Sequence, residues 1–348
     1  MNGYGIIAPN TFGKITGAPE PICEPMDAIA EAVAWATCTS DPHQVHAGLP
    51  AGLILGHEVV ARLVKVGSMV KDFKVGDIVC VGAVTPDWTW PNCQDNIHQD
   101  ANGAAQGMNW CVTENGTFAE RFRIRQVDCN ATYIPKGLTY EHALMASDMV
   151  TTGFHGVEMA HGTWGDTVVV MGIGPVGLMS VAGSALRGAG RIIAIGRRPI
   201  TLELAKEYGA TDVLNYMDGP IDEQVLELTG GVAPDCCITT GGTNDTFARC
   251  LKMVKPNGIV SNLQAQTFDT EIPGMYTLYW QSHKQVNGGL CPGGRKRMQR
   301  LLSIMEAGRL DPTKLITHRF HGMEHIMDAY NMMDGKPDDM VKPVIYND

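Results

Sequence analysis

At 348 residues the chain exceeds what one ordinary core holds, so two domains are expected. Its 44% hydrophobic and 18% charged residues belong to a globular protein rather than a disordered or fibrous one. A formal charge of −10 argues against nonspecific binding to nucleic acid or an anionic membrane. Met1 to Thr16 has neither a basic start nor an apolar core, so no secretory leader is expected. Ten cysteines without a disulfide-framework spacing fit a reducing, cytoplasmic setting.

Residues 1–150 read as short strands broken by Gly and Pro, among them Asp27 to Val33, Val59 to Val66 and Asp77 to Gly82. That pattern predicts a β-rich domain with few long helices. Within it stand Cys38-Thr-Ser40-Asp-Pro-His43, then Gly56-His57-Glu58, and much later Asp148. A thiolate, an imidazole and a carboxylate make a three-ligand zinc site with an open fourth position, which catalytic zinc requires. On spacing alone, three unrelated residues remain an equal reading. The loop from Pro86 to Gly116 offers only Cys93 and Cys111, eighteen apart, too few for a closed four-cysteine zinc.

From about 151 strands alternate with helical segments, at 166–171, 191–195, 213–216, 236–240 and 258–262. Such alternation predicts an α/β, doubly wound parallel sheet. Thr167 to Leu186 is uncharged and long enough to suggest a membrane span, but Gly172, Gly174, Pro175 and Gly177 interrupt it. The stretch instead reads as strand, Gly172-Ile173-Gly174-Pro175-Val176-Gly177 turn, and helix. Glycines there permit an unusual backbone angle, a close approach by a pyrophosphate, and tight strand–helix packing. The helix N-terminus then presents free N–H groups to the anion. A second apolar run, Arg191 to Gly196, follows about 20 residues on, as a dinucleotide-binding βαβ unit requires. It ends in Gly196-Arg197-Arg198 rather than in a carboxylate, which favours a ribose carrying a 2′-phosphate, as in NADP(H). Cys236-Cys237 reads as part of a buried strand. After about 290 come amphipathic helices near Lys296 to Glu306 and Met323 to Met333, then a closing strand, Val341 to Tyr346.

Cys-x-Ser-x-x-His, Gly-His-Glu, the Gly-Asp-x-Val of Gly76 to Val79, and Gly-x-Gly-x-x-Gly occur here in one order. In that order the chain resembles the medium-chain zinc-dependent alcohol dehydrogenases. Met145 to Gly156, Gly172 to Leu178, Leu186 to Arg191 and Gly288 to Gly294 make it more similar to the tetrameric, NADP-dependent secondary alcohol dehydrogenases.

The resemblance implies a GroES-like catalytic domain over 1–150 and 291–348, with a Rossmann domain inserted at 151–290. It implies one catalytic zinc on Cys38, His57 and Asp148, with Glu58 as an alternate fourth ligand, and no structural zinc. Ser40 would hydrogen-bond the alcohol hydroxyl and His43 would pass its proton to solvent. Tyr216 would flank the adenine end, Leu263-Gln264-Ala265 the nicotinamide side, and Lys336 would reach the cofactor from the C-terminal segment. The implied reaction interconverts small secondary alcohols and ketones, with some aldehydes, in a homotetramer. A polyol or aryl-alcohol dehydrogenase of the same zinc class is the alternative, and a non-catalytic NADPH-binding protein a remoter one. The chain departs from the family at Ala61, where glycine is usual, at Arg197, and at Gln264-Ala265, where an aromatic is expected.

Overall fold

The computed structural model describes residues 1–100, 108–264 and 281–347, so Ala265 lies outside the described residues. The chain forms two compact units, Met1–Thr151 with Cys291–Asp348, and Thr152–Leu290.

The first unit opens on an antiparallel hairpin of β1 (Gly3–Ala8) and β2 (Thr11–Ile15), which turns at Asn10 with φ 56°. Its main sheet then takes β3 (Ala28–Ala36), β4 (Glu58–Val66), β5 (Ile78–Val81), β6 (Phe122–Ile124) and β7 (Ala131–Tyr133). Alanine at every second position of β3, alternating with Ile29, Val33 and Trp35, gives a slim strand that neighbours approach on both sides. Fully buried Trp35, Trp110, Phe118 and Phe122 fill the core, and the Trp35 indole donates to Thr117 O at 2.6 Å.

The second unit contains β8 (Thr167–Met171), β9 (Arg191–Gly196), β10 (Asp212–Asn215), β11 (Cys236–Thr239), β12 (Ile259–Asn262) and β13 (Gln285–Gly288). All six are parallel, in the order β10-β9-β8-β11-β12-β13. The chain therefore winds outward from β8 in one direction, returns, and winds outward in the other. The reversal falls between β8 and β11, where doubly wound sheets bind ligands beyond the carboxyl ends of their strands. Strand β13 carries no apolar run because it lies at the sheet edge with β12 as its neighbour.

The chain then returns to the first unit through helix Arg295–Glu306, β14 (Ile316–His321), helix Ile326–Gly335 and β15 (Lys342–Tyr346). The sheet there runs β14-β15-β3-β4-β5-β7, with β6 also paired to β3. Its register matters for the site. Ala36 pairs with Glu58 on one side and with Val344 on the other. The end of β3 leading to Cys38, the start of β4 at Glu58 and the start of β15 at Lys342 thus share one end of three adjacent strands. Among the described residues no helix is long and apolar enough to cross a membrane.

Candidate metal centre and nucleotide-binding turn

Beyond β3 the chain passes Cys38 and enters helix Ser40–His46. Gly56, with φ +90°, sits so close to the Phe118 ring that an added Cβ would lie 2.4 Å from it. Glycine is therefore needed immediately before His57. Asp148 lies in a π-helical turn, Ala146–Val150, continuing helix Tyr140–Met145. The wider turn, a geometry frequent at functional positions, is pinned where Ala83 N–H donates to Ser147 O at 2.8 Å.

Donor atoms of Cys38, His57, Glu58 and Asp148 all lie within 4.8 Å of one another. Asp148 Oδ2 is 3.7 Å from Cys38 Sγ and 3.6 Å from His57 Nε2. Tetrahedral zinc with bonds of ~2.0–2.3 Å has ligand–ligand edges of roughly 3.3–3.8 Å, so the donor set fits that ion in type and spacing. Glu58 is fully buried; its Oε1 accepts from Lys342 Nζ at 2.5 Å while Oε2 has no hydrogen-bond partner. With Cys38 as thiolate, three anions of this cluster face one ammonium, a deficit that a dication balances.

The electrostatics carry the same demand for positive charge. Burial opposes a charged His57, yet the proximity of Asp148, Cys111, Cys38 and Asp41 holds its pKa well above the ordinary value. Burial pushes the Glu58 carboxyl up against the pull of Lys342. Burial works against the Lys342 ammonium too, but Glu58 and Cys38 more than offset it and raise its pKa. Ser40 Oγ lies 3.4 Å from His57 Nε2, beside the cluster. His43 is a surface residue of the same helix, and partial desolvation of its ring first, then the charges of Lys336 and His46, keep its pKa below the usual imidazole value.

In the second unit the glycine turn has the shape of an anion cradle. Gly172 holds φ +88°, and a Cβ there would stand 2.7 Å from Gly241 N. At Gly177 a Cβ would stand 2.0 Å from Gly172 O, so strand and helix can meet only through glycine. A Cβ on Gly174 meets nothing within 4 Å; it points into open space at the uncapped N-terminus of helix Pro175–Leu186. That space suits a pyrophosphate. Gly196 abuts the turn, with its Cβ position 2.3 Å from Ile173 Cγ1. Arg197 is exposed and Arg198 half-buried as they lead into helix Pro199–Glu207. Tyr216 opens the 3₁₀ turn after β10 and is 41% exposed, free to meet a flat ring. Leu263 follows β12, and Gln264 Nε2 donates to Gly242 O at 2.5 Å. Lys336, in the first unit, adopts a left-handed backbone (φ +46°) just past helix Ile326–Gly335.

Residues 175–307 match the zinc-binding dehydrogenase family, and residues 24–135 match the alcohol dehydrogenase GroES-like domain. The chain is 45% identical over 351 residues to the NADP-dependent isopropanol dehydrogenase of Thermoanaerobacter brockii, across 99% of both chains. This chain is a zinc-dependent alcohol dehydrogenase of the medium-chain family. The enzyme is also 46% identical over 350 residues to the NADP-dependent isopropanol dehydrogenase of Entamoeba histolytica, covering 99% of this chain and 95% of that one. Its fold superposes on an alcohol dehydrogenase from Thermus sp. ATN1 with a TM-score of 0.87 at 26% identity, over 100% of both.

Two residues around this donor cluster escape a reading by motif. Asp41 is completely buried; its Oδ2 accepts from Cys38 N–H at 2.8 Å and its Oδ1 lies 3.5 Å from His57 Nδ1. One carboxylate thus links the segments carrying two of the donors. Its signal was a carboxylate directly after Ser40. Lys342, the ammonium on Glu58, was signalled by a lone charge in the otherwise apolar closing strand.

Proposed function

We propose that this chain interconverts small secondary alcohols and ketones with NADP(H), using one catalytic zinc on Cys38, His57 and Asp148, with Glu58 as an exchangeable fourth donor. The observation that carries the reading is the meeting of a thiol, an imidazole and a carboxylate at the spacing of zinc's coordination edges. The isopropanol dehydrogenases at 45% and 46% identity support the substrate class and the phosphorylated cofactor. A homotetramer is part of the same reading, and sedimentation tests it.

Zinc bound there supplies a Lewis acid that makes the alcohol hydroxyl more acidic. The nicotinamide supplies the hydride acceptor. The chain's own groups do the rest. Ser40, next to the metal donors, accepts the alcohol's hydrogen bond and hands its proton on. His43, neutral at pH 7 because its pKa is held down, takes that proton and releases it to solvent. The Gly172–Gly177 turn orients the dinucleotide by its pyrophosphate, and Arg198 holds the 2′-phosphate.

The relay has a signed pH dependence. Once pH falls below the lowered pKa of His43, its imidazolium cannot accept a proton, and alcohol oxidation slows. His43→Ala should slow oxidation by about 10–100-fold near pH 7 and less above pH 9, where hydroxide replaces the imidazole. A pH–rate profile unchanged by the substitution excludes the relay.

The function itself is tested by purified protein given NADP and a panel of alcohols. Turnover of 2-propanol with NADP preferred over NAD is the expected outcome. Preference for sorbitol, or stoichiometric NADPH binding without turnover, defeats the reading.

A further inference from the structure

Behind His57, on the side away from Cys38 and Asp148, a second group of buried donors converges. Asp41, His57 and Cys111 each place one donor atom within 4.8 Å of the others. His57 Nδ1 and Asp41 Oδ1 are both buried without a hydrogen-bond partner, and the 3.5 Å between them is long for such a bond. Cys111 is the other group available. Its backbone sits in the left-handed region at φ +64°, which a non-glycine residue adopts only at a cost.

The surrounding chain imposes that conformation. Cys111 N–H donates to Glu114 O at 3.0 Å, closing a tight turn. Gly116, Thr117 and Phe118 then donate to Ile54 O, Gly56 O and Leu55 O at 2.8, 2.7 and 2.9 Å, zipping the turn onto the segment that bears His57. At Gly116 a Cβ would lie 2.6 Å from Cys111 Sγ and 2.3 Å from Gly56 O, so only glycine admits this approach. The thiol spends its one proton on Gly56 O at 3.1 Å, which leaves the sulfur as an acceptor.

We propose that Cys111 is a positioning residue for the metal site: with Asp41 it accepts the Nδ1 proton of His57 and so fixes the tautomer that leaves Nε2 free for the ion. The proposal rests on the reading of His57 as a zinc ligand. It assigns a buried cysteine far from the Cys38 motif to the outer layer of the site, where such partners orient the ligand and tune metal affinity.

The test compares Cys111→Ala with Cys111→Ser, both unbranched at Cβ and therefore alike in backbone strain. Serine can still donate to Gly56 O and accept from His57; alanine can do neither. Zinc affinity is read by competition with a chromogenic chelator, and the melting temperature of the zinc-free proteins serves as the control. Alanine should weaken zinc about 10-fold while serine stays within about 3-fold of the parent, with zinc-free variants melting alike. Equal weakening by both variants assigns Cys111 to filling space and overturns the proposal, as does no weakening by either. A parent protein that retains no zinc fails earlier, by removing the ligand reading itself.

Discussion

Asp148→Asn is expected to strip the metal and to lower turnover by at least about 100-fold. Asp148 Oδ2 is the atom shared by the two short donor–donor distances, 3.7 Å to Cys38 and 3.6 Å to His57. Asparagine keeps the shape and leaves the π turn intact, but it removes the carboxylate charge that helps neutralise a dication. Metal per chain, measured on protein whose circular dichroism matches the parent, should drop with kcat. Full metal content with full activity would take Asp148 out of the site.

Arg198→Ala is expected to raise the KM for NADPH by about 10–100-fold and that for NADH by less than about 3-fold, the loss of one or two charge-assisted hydrogen bonds to a phosphate. Arg198 stands where β9 gives way to helix Pro199–Glu207, the position at which NAD-binding folds place a ribose-binding carboxylate. Arg197 beside it is the more exposed of the two and serves as the internal comparison. Equal changes for both cofactors would show that Arg198 does not distinguish them.

Local chemistry was the most legible part of this sequence. The glycine turn, the strand before it and the Arg pair after the next strand each act within a few residues, and the parallel, doubly wound character of the sheet, though not its sixth strand, follows from the alternation of strand and helix. The candidate metal site was only half legible. Spacing could not tell whether Cys38, His57 and Asp148 meet, because the answer lies in the antiparallel register that sets Ala36 against Glu58 and in a π turn with no sequence signature. Register also hid Lys342, since nothing local says that β15 lies beside β3. Asp41 was visible within the Cys38–His43 motif, yet its role depends on how helix Ser40–His46 aims it at His57. Strand β13 and the β1–β2 hairpin were missed for a different reason. An edge strand and an outlying ribbon carry weak apolar patterns.

The central claim concerns one mixed-donor metal site, and X-ray absorption at the zinc edge of the purified, zinc-loaded protein tests it most directly. One sulfur at about 2.3 Å with nitrogen and oxygen at about 2.0–2.1 Å is the shell required by Cys38, His57 and Asp148. A shell of several sulfurs, or one with no sulfur at all, would contradict it.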